Sequence, residues 1–388
     1  MAKGTSYNSK DLFEIAGLFL RLGLTTFGGP AAHIAMFEDE VVARRNWMSR
    51  QHFLDLVGAT NLIPGPNSTE MAIHIGYHKG RLPGLFIAGL CFMFPAVVIT
   101  GILAYLYVLY GRLPGAAPFL YGIKPAVIVI VLNAVFKLGR KAVTSRKLLI
   151  ITAAVALFNF AGVNEILSII AGGIFGALFL IFSERRDKLN SFSALSLISI
   201  FALNPLLQSI EKSEISLTKL FLTFLKIGAV WFGSGYILVA YFNGELVQGL
   251  HWLTRQQLLD AVAAGQFTPG PFLSSATFIG YQMAGFSGAI LATAGIVIPS
   301  FIFVLILNPL IPRIRRSNYL SKFLDSVNVS AVAVMFIVAV KLGTEILIDW
   351  RTILIAILSA AAFFTFKKIN SAYIVLGGAL LGYALRLL

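Results

Sequence analysis

Long apolar segments constrain this chain more than any other feature of its sequence. Residues 85–110, 166–182 and 287–307 are almost entirely apolar, and about 20 such residues are enough for a helix to cross a bilayer. Two shorter apolar runs, 126–136 and 331–340, reach that length with their flanks. Only 12% of the residues are charged, about half of what a soluble protein carries. The sequence therefore predicts an all-α polytopic membrane protein.

The sequence also repeats itself at an offset of 205 positions (232 − 27). Phe27-Gly28 recurs as Phe232-Gly233, and Pro64-Gly65-Pro66 recurs as Pro269-Gly270-Pro271. Later matches continue at an offset of 204, after the loss of one residue. Because glycine, proline, aromatic and charged positions all recur with a single gap, we infer a duplicated unit.

Basic residues predict that the two repeats have opposite orientations. Loops rich in Lys and Arg mark the cytoplasmic side of a membrane. In the first repeat they are 44–50, 78–81 and 137–147, whereas the corresponding loops of the second repeat are poor in basic residues or balanced by acids. The second repeat is instead basic at 313–322 and 367–368. We therefore predict inverted-topology repeats, a recurring plan of secondary transporters. This bias also explains the net charge of +14, and no nucleic-acid partner is predicted.

Each repeat is predicted to begin with two re-entrant helical hairpins that break at Gly/Pro tips. The tips are 28–30 and 64–66 in the first repeat, and 233–235 and 269–271 in the second. Four full spans follow in each repeat. The predicted division is a first repeat at 1–188, a linker with one extra transmembrane helix at 189–213, and an inverted second repeat at 214–388.

These motifs resemble those of a known family. Leu24-Thr25-Thr26-Phe27-Gly28-Gly29-Pro30, Pro64-Gly65-Pro66 and their second-repeat versions are similar to the signature of the chromate ion transporter family in its long, two-domain form. The resemblance extends from about Leu12 to the C-terminus. It implies export of chromate from a bacterial cytoplasm across the inner membrane, chromate resistance, and sulfate as a close structural mimic. The second repeat departs from the pattern at Gly233-Ser234-Gly235 and Phe272-Leu273, which predicts unequal binding by the two halves.

The predicted substrate site consists of the hairpin tips and the helices beside them. Helix N-termini offer unpaired amides and the positive end of the helix dipole, and both suit a small divalent oxyanion. Arg21 shares one helix face with Thr25 and Gly28. Two simpler alternatives stay open: the tips only form tight turns, and Arg21 only snorkels to the interface. The predicted substrate-binding residues are Arg21, Thr25, Phe27, Gly28, Gly29, Pro64, Gly65, Pro66, Asn67, Ser68, Lys226, Phe232, Gly233, Ser234, Gly235, Pro269, Gly270, Pro271, Ser274 and Ser275.

Two pairs of acidic residues recur between the repeats and are the candidates for ion coupling. Glu40 corresponds to Glu245, and Asp55 corresponds to Asp260. The alternative is that these carboxylates cap helices or pair with nearby arginines at the interface. Glu70, in contrast, has no acidic counterpart in the second repeat.

Neither a metal nor an organic cofactor is predicted. His33 and His74 have no histidine partners in the second repeat, and Cys91 is the single cysteine. The chain has no Gly-x4-Gly-Lys-Ser/Thr loop for ATP and no His-Glu-x-x-His or Gly-x-Ser-x-Gly element. The sequence therefore predicts that the protein is not an enzyme.

Three functions compete at this level: chromate export, a permease for sulfate or another oxyanion, and an enzyme that acts on a lipid phosphate. The enzyme would need convergent acids, histidines or a nucleophile, whereas the repeated positions are mainly glycine, proline and aromatic residues. Transport is therefore favoured, with an oxyanion and the lipid bilayer as partners. The oligomeric state is not determined by the sequence, and a homodimer is one option.

Overall fold

The computed structural model describes residues 9–27, 30–60, 63–111, 113, 115–186, 215–232, 235–307, 318–366 and 369–387. Helices make up nearly all of this part of the chain, and it contains no strand. The predicted linker helix at 189–213 lies outside the described residues, as do Gly28, Gly29, Gly233 and Ser234.

Within the described ranges each half contains seven α-helices. Those of the first half are α1 (Ser9–Thr25), α2 (Pro30–Glu38), α3 (Arg50–Thr60), α4 (Asn67–Tyr110), α5 (Ala117–Ala142), α6 (Arg146–Phe160) and α7 (Glu165–Arg186). Those of the second half are α8 (Leu217–Val230), α9 (Leu238–Phe242), α10 (Arg255–Phe267), α11 (Ser275–Leu307), α12 (Asn318–Ile346), α13 (Trp350–Thr365) and α14 (Ser371–Leu387). π-Helical turns follow α2 and α9, and short 3₁₀ turns precede α9 and α11.

Among the described residues, five helical segments are long and apolar enough to cross a membrane by themselves. They lie in α4, α5, α7, α11 and α12, and the shorter helices α13 and α14 are also apolar. Large apolar side chains cover the outer surface, with Phe94 60% and Leu157 70% exposed. A surface of this kind suits lipid and not water. The prediction of an all-α polytopic membrane protein is confirmed.

Both α4 and α11 contain a sharp turn that makes each of them a hairpin. Gly80 and Arg81 leave the helical conformation in α4, and Gly76 then packs directly on the backbone of Gly84. A methyl group on Gly76 would overlap the Gly84 carbonyl oxygen, so this close approach needs glycine. The helix α11 turns in the same way at 284–285. The start of each helix is thereby folded back along the span that follows it.

Unusual backbone conformations recur between the halves at the offset of the sequence repeat. Asn46 and His251 have φ of 51° and 53°, and Arg81 and Gly285 have φ of 52° and 61°. Gly65 and Gly270, at the two Pro-Gly-Pro tips, also have positive φ. The halves therefore share these unusual local conformations as well as the order of their helices.

Each Pro-Gly-Pro tip bonds to the opposite half. The Gly65 amide donates a hydrogen bond to the Trp231 carbonyl at 2.6 Å, and the Gly270 amide donates one to the Thr26 carbonyl at 2.9 Å. Both donors and both acceptors are related by the repeat offset. Such reciprocity is characteristic of a twofold relation between two units. The inverted orientation in the membrane and the domain boundaries at 188/189 and 213/214 stay predictions.

Candidate anion-binding site between the helix tips

A cavity lies where the tips of the two halves meet. The first half contributes Phe27, Pro30, His33, Pro66 and Ser68 to its wall. The larger part of the wall comes from the second half, through Trp231, Gly235, Tyr236, Gly265, Gln266, Thr268, Gly270, Pro271, Phe272, Leu273 and Ser371. The cavity is therefore shared by both halves but built unequally.

Five helical segments begin at this cavity. Pro30 is the first residue of α2, Ser68 lies in the first turn of α4, and Ser371 is the first residue of α14. The helical run 235–249 and the 3₁₀ turn that leads into α11 begin there as well. Helix starts carry unpaired amides and partial positive charge. The convergence of five such starts favours an anion.

The polar side chains of the wall are uncharged amides, hydroxyls and one imidazole. Tyr236 hydrogen-bonds with the side chains of Gln266 and Ser371. Thr268 accepts a hydrogen bond from Thr100 at 3.1 Å. The described part of the wall contains no Lys, Arg, Asp or Glu. Anion binding here would depend on backbone dipoles and neutral donors.

Some of the predicted substrate-binding residues line the cavity, and others do not. Those in the wall are Phe27, Pro66, Ser68, Gly235, Gly270 and Pro271. Those at the tips but outside the wall are Pro64, Gly65, Asn67, Phe232, Pro269, Ser274 and Ser275. Gly28, Gly29, Gly233 and Ser234 lie outside the described residues. Arg21, Thr25 and Lys226 are on α1 and α8 and are absent from the described wall.

Arg21 and Lys226 instead form ion pairs that recur between the halves. Arg21 lies 2.6 Å from Glu40, and Lys226 lies 2.8 Å from Glu245. Glu40 is also bonded to Arg45. Two of the predicted coupling acids are therefore held by cations, and both cations are about half exposed.

The other two predicted coupling acids differ sharply. Asp55 accepts a hydrogen bond from Gln51 on its own helix. Asp260 is 5% exposed, accepts a hydrogen bond from Tyr107 at 2.7 Å and lies 3.8 Å from Lys124. Asp260 thus connects α10 to α4 and α5 inside the molecule.

The comparison with known proteins identifies the family. The sequence pattern of chromate transporters matches residues 13–177 and again residues 218–383. The chain belongs to the chromate transporter family. This family consists of transport proteins, so the predictions of a non-enzyme and of a multi-pass protein in the bacterial inner membrane are confirmed.

Three relatives of this family member match over nearly its whole length. The chromate transport protein of Cupriavidus metallidurans is 30% identical over 96% of this chain and 92% of its own. The probable chromate transport protein of Synechococcus elongatus is 32% identical over 96% and 95%. The chromate transport protein of Pseudomonas aeruginosa is 31% identical over 95% and 91%. No solved structure matches the chain significantly.

Several cavity residues of this chromate transporter family member were missed at the sequence level. Tyr236, Gln266 and Ser371 carry no repeated motif, and Ser371 is about 100 positions beyond the last tip. His33 was considered only as a metal ligand; it lines the cavity instead. No group of three or more metal-ligating side chains occurs within the described ranges. The useful signal was the repeat itself, since it predicted the four Gly/Pro breaks between helices near which the cavity lies.

Proposed function

We propose that this protein exports chromate through the cavity between the tips, as a secondary transporter that confers chromate resistance. The observation that carries the proposal is the convergence of five helix starts on a cavity whose described wall has no charged side chain. Fixed dipoles hold an anion without a strong ion pair, so the anion can also leave. The names of the three relatives supply chromate as the substrate.

The reciprocal hydrogen bonds between the two halves support a mechanism of alternating access. In transporters with inverted repeats, one unit rocks against the other around a central site. The reciprocal bonds at Gly65 and Gly270 join the two halves beside the cavity, which supports such a mechanism. Single cysteines near His78 and Gln282, in a background that lacks Cys91, test the inverted orientation. They are expected to be labelled from opposite sides of the membrane, and labelling of both from one side contradicts inversion.

The membrane potential is sufficient to drive export. Moving one charge through 100 mV is worth about 2.3 kcal/mol, so a divalent anion gains roughly twice that on leaving an inside-negative cell. At about 1.4 kcal/mol per factor of ten, this energy sustains roughly a thousandfold gradient. No obligatory sodium partner is needed.

Proteoliposomes test the proposal directly. We expect labelled chromate to move out of the negative compartment when a potential is imposed without a pH gradient. Liposomes without protein and a potential of opposite sign are the controls. Competition by sulfate, molybdate and phosphate then ranks the oxyanions, and a stronger effect of sulfate than of chromate itself would favour the sulfate permease. An unchanged chromate distribution under both potentials contradicts potential-driven export.

A further inference from the structure

Glu70 is a buried carboxyl group that the cavity does not use. It lies in the first turn of α4, directly after the Pro64-Gly65-Pro66 tip, and its exposed fraction is 0%. Neither carboxyl oxygen has a hydrogen-bond partner among the described residues. The sequence repeat places serines at the corresponding positions of the second half, Ser274 and Ser275.

The nearest group of the other half at this tip is a hydroxyl, that of Ser300. A methyl group built on Gly65 would overlap Glu70 Oε1 and lie 2.7 Å from Ser300 Oγ. Both side chains therefore meet at the tip, and Ser300 Oγ is also buried without a partner in the described structure. At the second tip the first-half residue Ala96, which corresponds to Ser300 in the repeat, lies 3.2 Å from a methyl group built on Gly270.

No described cation compensates Glu70. The helix α11, which brings Ser300, has no charged residue in its described length. The charged groups and histidines on the other elements packed against α4 are His33 and Glu38 on α2, Arg255 and Asp260 on α10, Arg50, His52 and Asp55 on α3, and Lys10, Asp11, Glu14 and Arg21 on α1. His74 lies one turn further along α4 itself. Most of these charges are paired elsewhere: Arg21 with Glu40, Asp260 with Lys124, Asp11 and Glu14 with Lys79, Arg50 with Glu38, and Arg255 with Glu345.

A lone carboxylate in such a place is costly. Burial of an ionised group without a partner costs several kcal/mol even after relaxation. The start of α4 offsets part of that cost, because its amides favour negative charge. Burial favours the neutral carboxyl and the helix start favours the carboxylate. Because these effects oppose each other, a charge that arrives nearby can change the protonation state of Glu70.

We propose that Glu70, with Ser300, is a proton-binding site that is linked to the oxyanion in the cavity. The connection is short, because the Gly65 amide beside Glu70 donates to the carbonyl of Trp231, and Trp231 and Pro66 both line the cavity. A carboxylate at Glu70 repels a divalent anion, whereas a neutral carboxyl does not. The anion therefore binds more tightly when Glu70 carries a proton. Linkage requires the converse, so the bound anion promotes uptake of a proton.

This proton site rests on the proposed transport of an oxyanion, to which it adds a proton that is bound together with the anion. The proton passes from a hydronium ion of the aqueous phase to a carboxyl oxygen of Glu70, so one O–H bond breaks as the other forms and water is left. Chromate that moves with one proton carries one net negative charge, so the potential still drives its exit.

The test is the pH dependence of chromate binding to the full-length protein in detergent, measured by calorimetry. Wild-type protein is compared with Glu70→Gln, and Asp39→Asn, an exposed acid paired with Arg44, is the matched control. The protonation of chromate itself is common to all three proteins and cancels in the ratio of their affinities. Between the pH at which Glu70 titrates in the free protein and the higher pH at which it titrates in the complex, we expect the ratio of Glu70→Gln to wild-type affinity to rise by up to about tenfold per pH unit, and to level off above and below that range. The Asp39→Asn ratio is expected to stay constant.

The outcomes separate the two proposals. A constant ratio for Glu70→Gln, with chromate still bound, overturns the proton site and leaves transport standing; Glu70 then only stabilises the start of α4. Absence of chromate binding to the wild-type protein overturns the proposed function itself. A wild-type affinity that follows sodium concentration instead of pH also overturns the proton assignment. Glu70→Ser repeats the comparison with the residue of the second half, so a folding defect in one variant does not decide the result.

Discussion

The two Pro-Gly-Pro tips share a backbone but differ in chemistry. Gly65 and Gly270 both have positive φ, and both donate to the opposite half. Around Gly65 the nearest side chains are Glu70 and Ser300, whereas a methyl group on Gly270 would lie nearest to two backbone oxygens and Ala96, and Gly270 lies in the cavity wall. Duplication fixed the scaffold, and later substitution gave each tip its own partner. We therefore expect the two tips to contribute unequally to anion binding.

The largest expected effect is a loss of stability on replacing Asp260, compared with replacing its first-half counterpart Asp55. Asp260→Asn leaves Lys124 without its carboxylate in the interior, and breaking a buried pair in this way costs about 3–5 kcal/mol. Asp55→Asn removes an acid with partial exposure and is expected to cost less than about 1 kcal/mol. Thermal unfolding in detergent measures both. Lys124→Gln added to Asp260→Asn is expected to recover part of the loss, and a further loss contradicts the pairing.

The next effect compares alanine at the two tip glycines. Gly65→Ala places a methyl group on Glu70 and Ser300 at a φ of +138°, and strain and overlap together are expected to cost about 3 kcal/mol. Gly270→Ala meets its nearest atoms at 3.1 and 3.2 Å and is expected to cost about 1–2 kcal/mol. Unfolding and chromate flux at matched protein levels provide the comparison. Equal losses would show that the first tip is not the more crowded one.

The third comparison concerns the loss of chromate affinity when the second tip carries a negative charge. Ser274→Glu gives the second tip the acid that the first tip has at Glu70. Repulsion between that charge and a divalent anion is expected to weaken chromate binding by on the order of 2 kcal/mol, about thirtyfold. Ser274→Gln has nearly the same shape and is the control. If both variants lose affinity equally, volume and not charge is responsible.

The smallest effect concerns the two ion pairs at the ends of the first hairpins. Glu245 is bonded to Lys226, whereas Glu40 keeps Arg44 and Arg45 when Arg21 is removed. Arg21→Ala is therefore expected to destabilise less than Lys226→Ala, both by under about 1 kcal/mol. Unfolding at low and high salt checks the order. A large loss of chromate affinity in Arg21→Ala would instead support its predicted role in substrate binding.

Much of this comparison could be read from the sequence. The offset predicted the four tips, and it made Arg21 correspond to Lys226 and Glu40 to Glu245. It did not predict the ion pairs of Arg21 with Glu40 and of Lys226 with Glu245, because these depend on how the helices pack. The hydrogen bonds that each tip makes to the opposite half could not be predicted, because they depend on how distant helices pack. Ser371 was missed because α14 reaches the cavity from a distant part of the chain. Glu70 was set aside because it lacked a counterpart, yet that asymmetry is the feature that separates the tips.

The crossing bonds also have a consequence for biosynthesis. The acceptor for the Gly65 amide is Trp231, and the ribosome makes it 166 residues later (231 − 65). An amide left unpaired in the membrane interior costs several kcal/mol. The first repeat therefore completes its structure only after the second repeat has been inserted, and the two mature together. Two copies of one repeat, related by a twofold axis, could exchange the same bonds, with Gly65 of each copy donating to Thr26 of the other. A dimer of that kind is the simplest ancestor of this fused chain.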